Sequence, residues 1–307
     1  MILSASRRTD IPTYHGAWFM NRLREGFVLT RNPMNPSQIH RLPLSPDVVD
    51  CIVFWTKNAA PFVKHLDELD RMGYRYYFQH SLTPYEADME PGLPPKDQLL
   101  KQVAALGRRI GPSRLVWRYD PILLTPRYTI DFHKTAFDRF CNTLASVTDE
   151  VVISFIDLYA RLRKTDLRAC TTTEMTELAG LLANIAAGYG LTIRACSEAM
   201  DLSPYGVQPG SCIDPRRIER VLGCPLKLSK ANGQRSDCGC CESVDIGAYN
   251  TCLNGCRYCY ANYSDESIRR NMKLCDPHSP LLLGQLLPGE TVKERKVQSN
   301  IEMQLHL

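Results

Sequence analysis

The sequence predicts an α/β fold, more specifically a partial or complete (β/α) barrel with parallel strands. Two observations lead to this prediction. Short runs rich in β-branched and aromatic residues alternate with longer segments of helical periodicity, and several such units in succession favour a barrel over an open sheet. Polar and charged residues also follow the apolar runs, as expected at the carboxyl ends of barrel strands.

The alternation extends over residues 1–200, which are predicted to form most of the barrel. Strands are expected at Ile2–Ser6, Cys51–Trp55, Tyr74–Gln79, Arg114–Tyr119, Val151–Ile156 and Leu191–Ala195. Helices are expected at Gly16–Arg24, Ala60–Met72, Lys96–Arg109, Thr129–Ala145 and Thr173–Ala187. The Pro-rich segment 82–95 is expected to be a surface loop.

The character of the sequence changes after about residue 200. Residues 201–243 are rich in Gly, Pro, Cys and charge, and are predicted to be irregular except for a helix near Pro215–Leu222. Residues 244–287 are predicted to supply a strand at Val244–Tyr249, a cysteine loop and a helix at Asp265–Leu274, which together complete the barrel. The polar tail 288–307 is expected to be mobile.

Composition bounds the class of protein. The chain has 307 residues and a net charge of +4, which is too mild to argue by itself for nucleic acid. Its first residues do not resemble a signal peptide and no apolar run is long enough to span a bilayer, so we expect a cytoplasmic protein with no membrane partner. In the cytoplasm, clustered cysteines usually bind metal or act in catalysis. Most of the thirteen cysteines of this chain lie from Cys212 to Cys259.

The strongest motif is a loop containing Cys252, Cys256 and Cys259, spaced by four and three residues. Three thiolates in one loop can bind a [4Fe–4S] cluster and leave one iron without a protein ligand. That iron can chelate the amino and carboxylate groups of S-adenosylmethionine. A zinc ribbon would need four ligands, typically in two CxxC pairs, and fits less well. The alternative to an iron–sulfur enzyme is a non-catalytic zinc-binding structural or regulatory protein.

The string CLNGCRYCYANY resembles the radical S-adenosylmethionine signature CxxxCxΦC, and its wording is similar to that of spore photoproduct lyase and its relatives. Over nearly the whole chain, Ser4–Pro12, Phe54–Asn58 and Gln234–Asn262 resemble an uncharacterised family that carries a domain of unknown function. Its motifs read SxSRRTDIP, FWTKN and QRxxCxCxxSxDIGxYxxCxxxCxYCYAN.

The superfamily resemblance implies an enzyme that cleaves S-adenosylmethionine to a 5′-deoxyadenosyl radical, with a ferredoxin or flavodoxin as electron donor. It places Tyr258 beside the adenine and the residues after the first strand at the amino end of the cofactor: Ser6, Arg8 and Thr9. In the superfamily the cysteine motif follows the first barrel strand. Here it follows the last predicted strand, so we expect a circularly permuted barrel whose cluster-binding unit is C-terminal.

A second group of cysteines precedes the cluster strand. From their positions at loop starts and in an alternating CxC pair, we select four as ligands of an auxiliary iron–sulfur cluster or a zinc ion: Cys196, Cys212, Cys238 and Cys240. The family resemblance points to the same four. Cys224 and Cys241 are alternatives, and Cys196 could also be a small buried residue without a metal.

Candidate catalytic residues are charged side chains at the predicted strand ends: Arg7, Asp10, Lys57, Arg118 and Asp120. The resemblance to spore photoproduct lyase suggests a nucleic-acid lesion as substrate, in a groove lined by basic and aromatic residues such as Arg7, Arg8, Trp55, Arg118 and Tyr119. A small molecule or a peptide is at least as consistent with the modest net charge.

Overall fold

The computed structural model describes residues 1–32, 34–160, 162–231 and 238–302. Its strands are β1 Ile2–Ala5, β2 Phe27–Asn32, β3 Asn35–Pro43, β4 Cys51–Thr56, β5 Tyr76–Ser81, β6 Leu115–Ile122, β7 Glu150–Phe155, β8 Thr192–Cys196, β9 Gln208–Gly210, β10 Val244–Asp245 and β11 Val292–Glu294. Within these ranges, eight strands form one parallel sheet in the order β10-β1-β4-β5-β6-β7-β8-β9. The predicted α/β class with parallel strands is confirmed.

Strand β10, which leads into the cysteine loop, lies beside the N-terminal strand β1, as expected for a permuted arrangement. Leu3 of β1 is opposite Val244 of β10, and Ser4 is opposite Asp245. Strand β10 has two residues and is shorter than the predicted Val244–Tyr249. Strands β10 and β9 form the two edges, and no ladder between them is present in the described part of the chain, so the sheet has the form of a partial barrel.

The helices are α1 Ile11–Tyr14, α2 Gly16–Glu25, α3 Leu66–Arg71, α4 Lys96–Ile110, α5 Ile130–Leu144, α6 Thr172–Gly188, α7 Pro215–Leu222 and α8 Asp265–Lys273. Most agree with the predicted bounds to within one or two residues. The helix predicted at Ala60–Met72 is an exception, because it starts as a 3₁₀ helix at Ala60–His65 and becomes α-helical only at Leu66. None of the described helices has the length and apolar character of a membrane span.

Successive side chains along a strand point alternately into two cores, as β6 illustrates. Trp117 and Tyr119 belong to the large core between the sheet and the helices, whereas Val116 belongs to the core inside the barrel. Tyr119 is fully buried, and its hydroxyl lies 2.8 Å from Nδ1 of His133 on α5. The prediction that Tyr119 lines a substrate groove is therefore wrong, because its side chain faces the helices.

The segment after β9 closes one end of the barrel interior. Ile213, Ile218 of α7 and three cysteines pack inside the sheet against residues of β1, β4, β5 and β6. Arg217 is buried and donates to the carbonyl of Ser113 at 2.8 Å and to Asp149 at 2.7 Å, just before β6 and β7. The amino ends of these strands are covered, and the carboxyl ends stay open. Residues 232–237 of the predicted irregular segment lie outside the described residues.

A second sheet was not predicted. Strands β2 and β3 form an antiparallel hairpin, and β11 pairs in parallel with β3. The first half of β3 is exposed, so it lacks the apolar pattern that identifies a strand.

The tail that we expected to be mobile contributes β11 to this sheet and is held further along. The amino group of Met1 donates to the carbonyl of Gln298 at 2.8 Å, and Asp50 accepts from Ser299 Oγ at 2.6 Å and from the Asn300 backbone at 3.0 Å. The expectation of a mobile tail does not hold for these residues, because their polar groups are paired with buried partners. Residues 303–307 of the tail lie outside the described part.

Candidate functional site

A cavity of about 530 Å³ opens at the carboxyl ends of the barrel strands. Strands β1, β4, β5, β6, β7, β8 and β9 of the large sheet each contribute residues to this cavity, either directly or through the loop that follows the strand. The cavity brings together every residue selected from the sequence as catalytic, cofactor-binding or metal-ligating: Ser6, Arg7, Arg8, Thr9, Asp10, Lys57, Arg118, Asp120, Cys196, Cys212, Cys238, Cys240, Cys252, Cys256, Tyr258 and Cys259.

Asp245 of β10 joins the cluster-binding unit to the first strand. Its carboxylate accepts hydrogen bonds from Ser4 Oγ at 2.9 Å, from Ser6 Oγ at 2.6 Å and from the Arg7 backbone N–H at 2.8 Å. A side chain at Gly247 would place its Cβ only 2.0 Å from Ser6 Oγ. The SxSRR motif at the N-terminus and the SxDIG motif before the cysteines therefore form one structural unit.

The residues expected at the amino end of the cofactor make the same junction. Ser6 is bound to Asp245, the Arg8 guanidinium donates to the Gly247 carbonyl at 3.2 Å, and Thr9 Oγ1 donates to the Thr251 carbonyl at 2.9 Å. These side chains line the cavity but direct polar atoms at the strand and loop that carry the cysteines. Their evident role in the structure is to hold that loop.

Asp10 supports the cysteine loop from the first helix. One carboxylate oxygen accepts the Thr13 N–H at 3.0 Å and caps α1, and the other accepts from the Lys57 backbone at 2.9 Å and Asn254 Nδ2 at 3.2 Å. Burial raises the pKa of Asp10, and the hydrogen bond from Lys57 opposes the rise. Both oxygens are engaged, so the geometry favours a positioning role over the catalytic one predicted.

The segment 82–95 is not the surface loop that its prolines suggested. Tyr85, Met89 and Glu90 are buried, although the turn between them is exposed. Its backbone pairs with the cysteine loop, because Gly92 N–H donates to the Asn254 carbonyl and Arg257 N–H donates to the Met89 carbonyl, both at 3.0 Å. The segment is a wall of the site.

This wall brings in two residues that the sequence analysis missed, Glu90 and Lys96. The carboxylate of Glu90 accepts hydrogen bonds from Tyr258 Oη, from Lys96 Nζ and from Thr83 Oγ1, the last at 3.0 Å. Lys57 Nζ lies 2.9 Å from the same carboxylate. Glu90 and Tyr258 are 168 positions apart, so no local pattern announces the contact.

Glu90, Lys57 and Lys96 set the charge around the cysteine loop. Burial acts to raise the pKa of Glu90, but Lys57 and Lys96 outweigh it and hold that pKa at about 2. Burial raises the pKa of the Cys252 and Cys256 thiols, and Lys57 opposes the rise at Cys256. Cationic neighbours of this kind favour the thiolate, which is the form that binds metal.

Cys252, Cys256 and Cys259 all line the cavity, and Cys252 is close enough to the other two to interact with them electrostatically. The first two are buried and the third is half-buried. No three His, Cys, Asp or Glu side chains within the described ranges are grouped as the ligands of a single metal ion. A cluster of four irons is wider than one ion, so its ligands need not converge so tightly. The buried ammonium of Lys57 is ion-paired with Glu90 but makes no well-formed hydrogen bond inside the described part, so it suits a further anionic group here.

The second cysteine group differs from its prediction. Cys196 and Cys212 are joined by a disulfide, whereas Cys238 and Cys240 are free and buried. In this state two of the four expected ligands are not thiolates, and a metal would require their reduction. Arg118 contacts the group, because its Nη1 lies 3.3 Å from Cys212 Sγ while its other nitrogens pair with Asp120.

The fold and the site define a parallel α/β barrel-like protein with a cysteine-lined cavity at the carboxyl ends of its strands. The chain belongs to the family described as Domain of unknown function (DUF1848), whose model matches residues 2–261. This confirms the predicted resemblance to a family of unknown function over nearly the whole chain. A search of the curated proteins finds no significant match.

Proposed function

We propose that the protein is a radical S-adenosylmethionine enzyme that binds a [4Fe–4S] cluster through Cys252, Cys256 and Cys259. The single observation that supports this most is that all three cysteines line one cavity together with the strand-end residues. The permuted sheet order adds support, since it puts the cysteine loop next to the first strand, as the superfamily's barrel would require.

Cys252, Cys256 and Cys259 would hold the cluster, which would supply the one electron needed to cleave the C5′–sulfur bond of S-adenosylmethionine into methionine and the 5′-deoxyadenosyl radical. The protein's own residues position the loop and supply charge. Asp10, at the start of α1, binds Asn254 of the loop, and Asp245 of β10 binds Ser6 after the first strand. Lys57 offers a buried cation beside Cys256. The electron would come from a donor such as a ferredoxin or flavodoxin.

Product analysis tests the proposal. After anaerobic reconstitution with iron and sulfide, the protein is expected to be brown and, with dithionite and S-adenosylmethionine, to release 5′-deoxyadenosine, measured by liquid chromatography and mass spectrometry. Cys256→Ala should release none, because the cluster loses one of its three ligands. Cys275→Ala is the matched control, since Cys275 lies just after α8, does not line the cavity and donates to the Asn271 carbonyl.

The competing function is a zinc-binding structural or regulatory protein. It predicts a colourless protein with stoichiometric zinc at the cysteines and no 5′-deoxyadenosine, and that result would overturn the proposal. The same preparation reports on the second cysteine group. About eight irons per chain after reduction of the Cys196–Cys212 disulfide would support an auxiliary cluster, and about four would leave the cluster at Cys252, Cys256 and Cys259 alone.

Two classes of substrate can be compared with the cavity, a nucleic-acid lesion and a small molecule or peptide. Trp55, Arg7, Arg8 and Arg118 line the cavity, as a nucleic-acid groove would require. The two N-terminal arginines lie near Asp245, however, and Arg118 is paired with Asp120. Because these cations already have anionic partners, the cavity favours a small molecule or a peptide.

A further inference from the structure

Beneath the cysteine loop lies a buried charge network that consists of Glu90, Lys57, Lys96 and Tyr258. The exposed fraction of the Glu90 side chain is 1%, that of Lys96 is 5% and that of Lys57 is 15%. Two ammonium groups share one carboxylate, so the network carries an excess positive charge inside the protein. Because charges are costly to bury, an arrangement that leaves one cation uncompensated points to a further anionic partner.

The network acts on one cysteine of the loop. Both lysines interact electrostatically with Cys256, which lines the cavity together with Lys57. Lys57 Nζ also lies 5.4 Å from the centre of the Tyr258 ring, whose hydroxyl donates to Glu90. The carboxylate of Glu90 therefore contacts both cations and the aromatic side chain of the cysteine motif.

The wall that carries Glu90 fixes the network relative to the loop. Gly92 donates to the Asn254 carbonyl at 3.0 Å, and a Cβ at Gly92 would lie 2.3 Å from the Leu253 carbonyl oxygen. Pro91 lies against Gly255. Backbone contacts on this scale leave Glu90 little freedom to move away from Tyr258.

We propose that Glu90 is a positioning residue that holds Lys57, Lys96 and Tyr258 so that a net positive charge lies beside Cys256 and tunes the reduction potential of the cluster. The inference rests on the proposed function, which supplies the cluster. Reduction adds one negative charge to the cluster, and a nearby cation stabilises the reduced form and makes the potential more positive.

Charge substitution separates this role from a merely structural one. In the reconstituted protein, Lys57→Met is expected to shift the midpoint potential to more negative values and Glu90→Gln to more positive values. The double variant Lys57→Met/Glu90→Gln should return towards the wild-type potential, because it restores the net charge of the network. Glu86→Gln is the matched control, since it removes the same charge from the exposed turn of the same segment and should cause no shift.

Potentials would be measured by redox titration monitored by electron paramagnetic resonance, with iron per chain determined for each variant. Shifts of the same sign in both single variants, or no shift, would overturn the inference while leaving the cluster in place. A wild-type protein that binds no cluster would overturn the proposed function instead, and this inference with it. If Glu90→Gln does not fold, Lys57→Met decides alone, because an unchanged or more positive potential contradicts the proposal.

Discussion

Buried carboxylates hold this site together by joining segments that are far apart in the sequence. Asp245 binds the end of the first strand, Asp10 binds Asn254 of the cysteine loop, and Glu90 binds Tyr258 of the same loop. Each shares its oxygens among several donors, which offsets the cost of burying its charge. Polar residues that the sequence marks as catalytic candidates thus include some that position the loop.

At Gly92 the backbone of the wall lies so close to the backbone of the cysteine loop that there is no room for a side chain. We expect Gly92→Ala to lower the free energy of unfolding by about 1–3 kcal/mol, because the new Cβ would overlap the Leu253 carbonyl oxygen and force the wall and loop apart. Urea unfolding of the metal-free protein measures this. The control is Gly180→Ala within α6, where a Cβ meets open space and the helix should gain up to about 1 kcal/mol. Equal effects of the two changes would contradict the steric account.

At the scale of single residues, the sequence predicts only sites whose members are close together in the chain. The spacing of Cys252, Cys256 and Cys259 could be recognised because one loop contains all three. Glu90 could not, since Met-Glu-Pro-Gly has no feature that distinguishes it from a surface turn until Tyr258 is placed against it. The disulfide between Cys196 and Cys212 was missed for a related reason, because cysteine spacing alone does not distinguish a pair of thiols from a bridge.

The elements with a regular apolar pattern were predictable, whereas the second sheet was not. Strands β4 to β8 and helices α4 to α6 bury apolar side chains at regular intervals, so periodicity alone located them. The hairpin β2–β3 is half-exposed, and β11 has only three residues. The wall at 82–95 has no regular structure, and its burial depends on the cysteine loop that covers it.

Helix α6 begins with a capping box that can be tested by itself. Thr171 Oγ1 accepts the Glu174 N–H at 3.2 Å, and Glu174 accepts the Thr171 N–H at 2.8 Å. Thr171→Ala is expected to lower the free energy of unfolding by about 1 kcal/mol, because one backbone donor loses its partner. Thr176→Ala, further along the same helix, should be close to neutral. Chemical denaturation of both variants gives the comparison, and a loss as large in Thr176→Ala would argue against the cap.

In the whole molecule, the order of the strands in the large sheet explains how distant motifs make one site. The sheet starts with β10 from the C-terminal part of the chain, and β1 from its N-terminal end lies next to it. The alternation of strands and helices was enough to predict a parallel sheet, and the expectation that the cysteine unit lies beside the first strand agrees with the pairing of β10 and β1. Neither could predict that Ile213 and Ile218 fill the barrel interior, or that Arg217 binds Ser113 and Asp149 just before β6 and β7, because that depends on the size of the interior.

Buried neutral histidines should make the stability of the whole chain depend on pH. Burial lowers the pKa of His80 to about 3 and that of His133 to about 4. Once unfolded, each imidazole takes a proton at about pH 6.5, so between that pH and about 4 the unfolded state binds more protons than the folded one. The free energy of unfolding is therefore expected to fall as the pH drops through this window.

Urea unfolding of the metal-free protein at about pH 7.5 and about pH 5 measures the fall. His133→Gln removes one titrating group, so the difference between the two pH values should be smaller than in the wild type. The variant also loses the imidazole that contacts Tyr119, which lowers its stability at both pH values and leaves the comparison between them intact. The same fall in variant and wild type would show that protonation of His133 does not contribute.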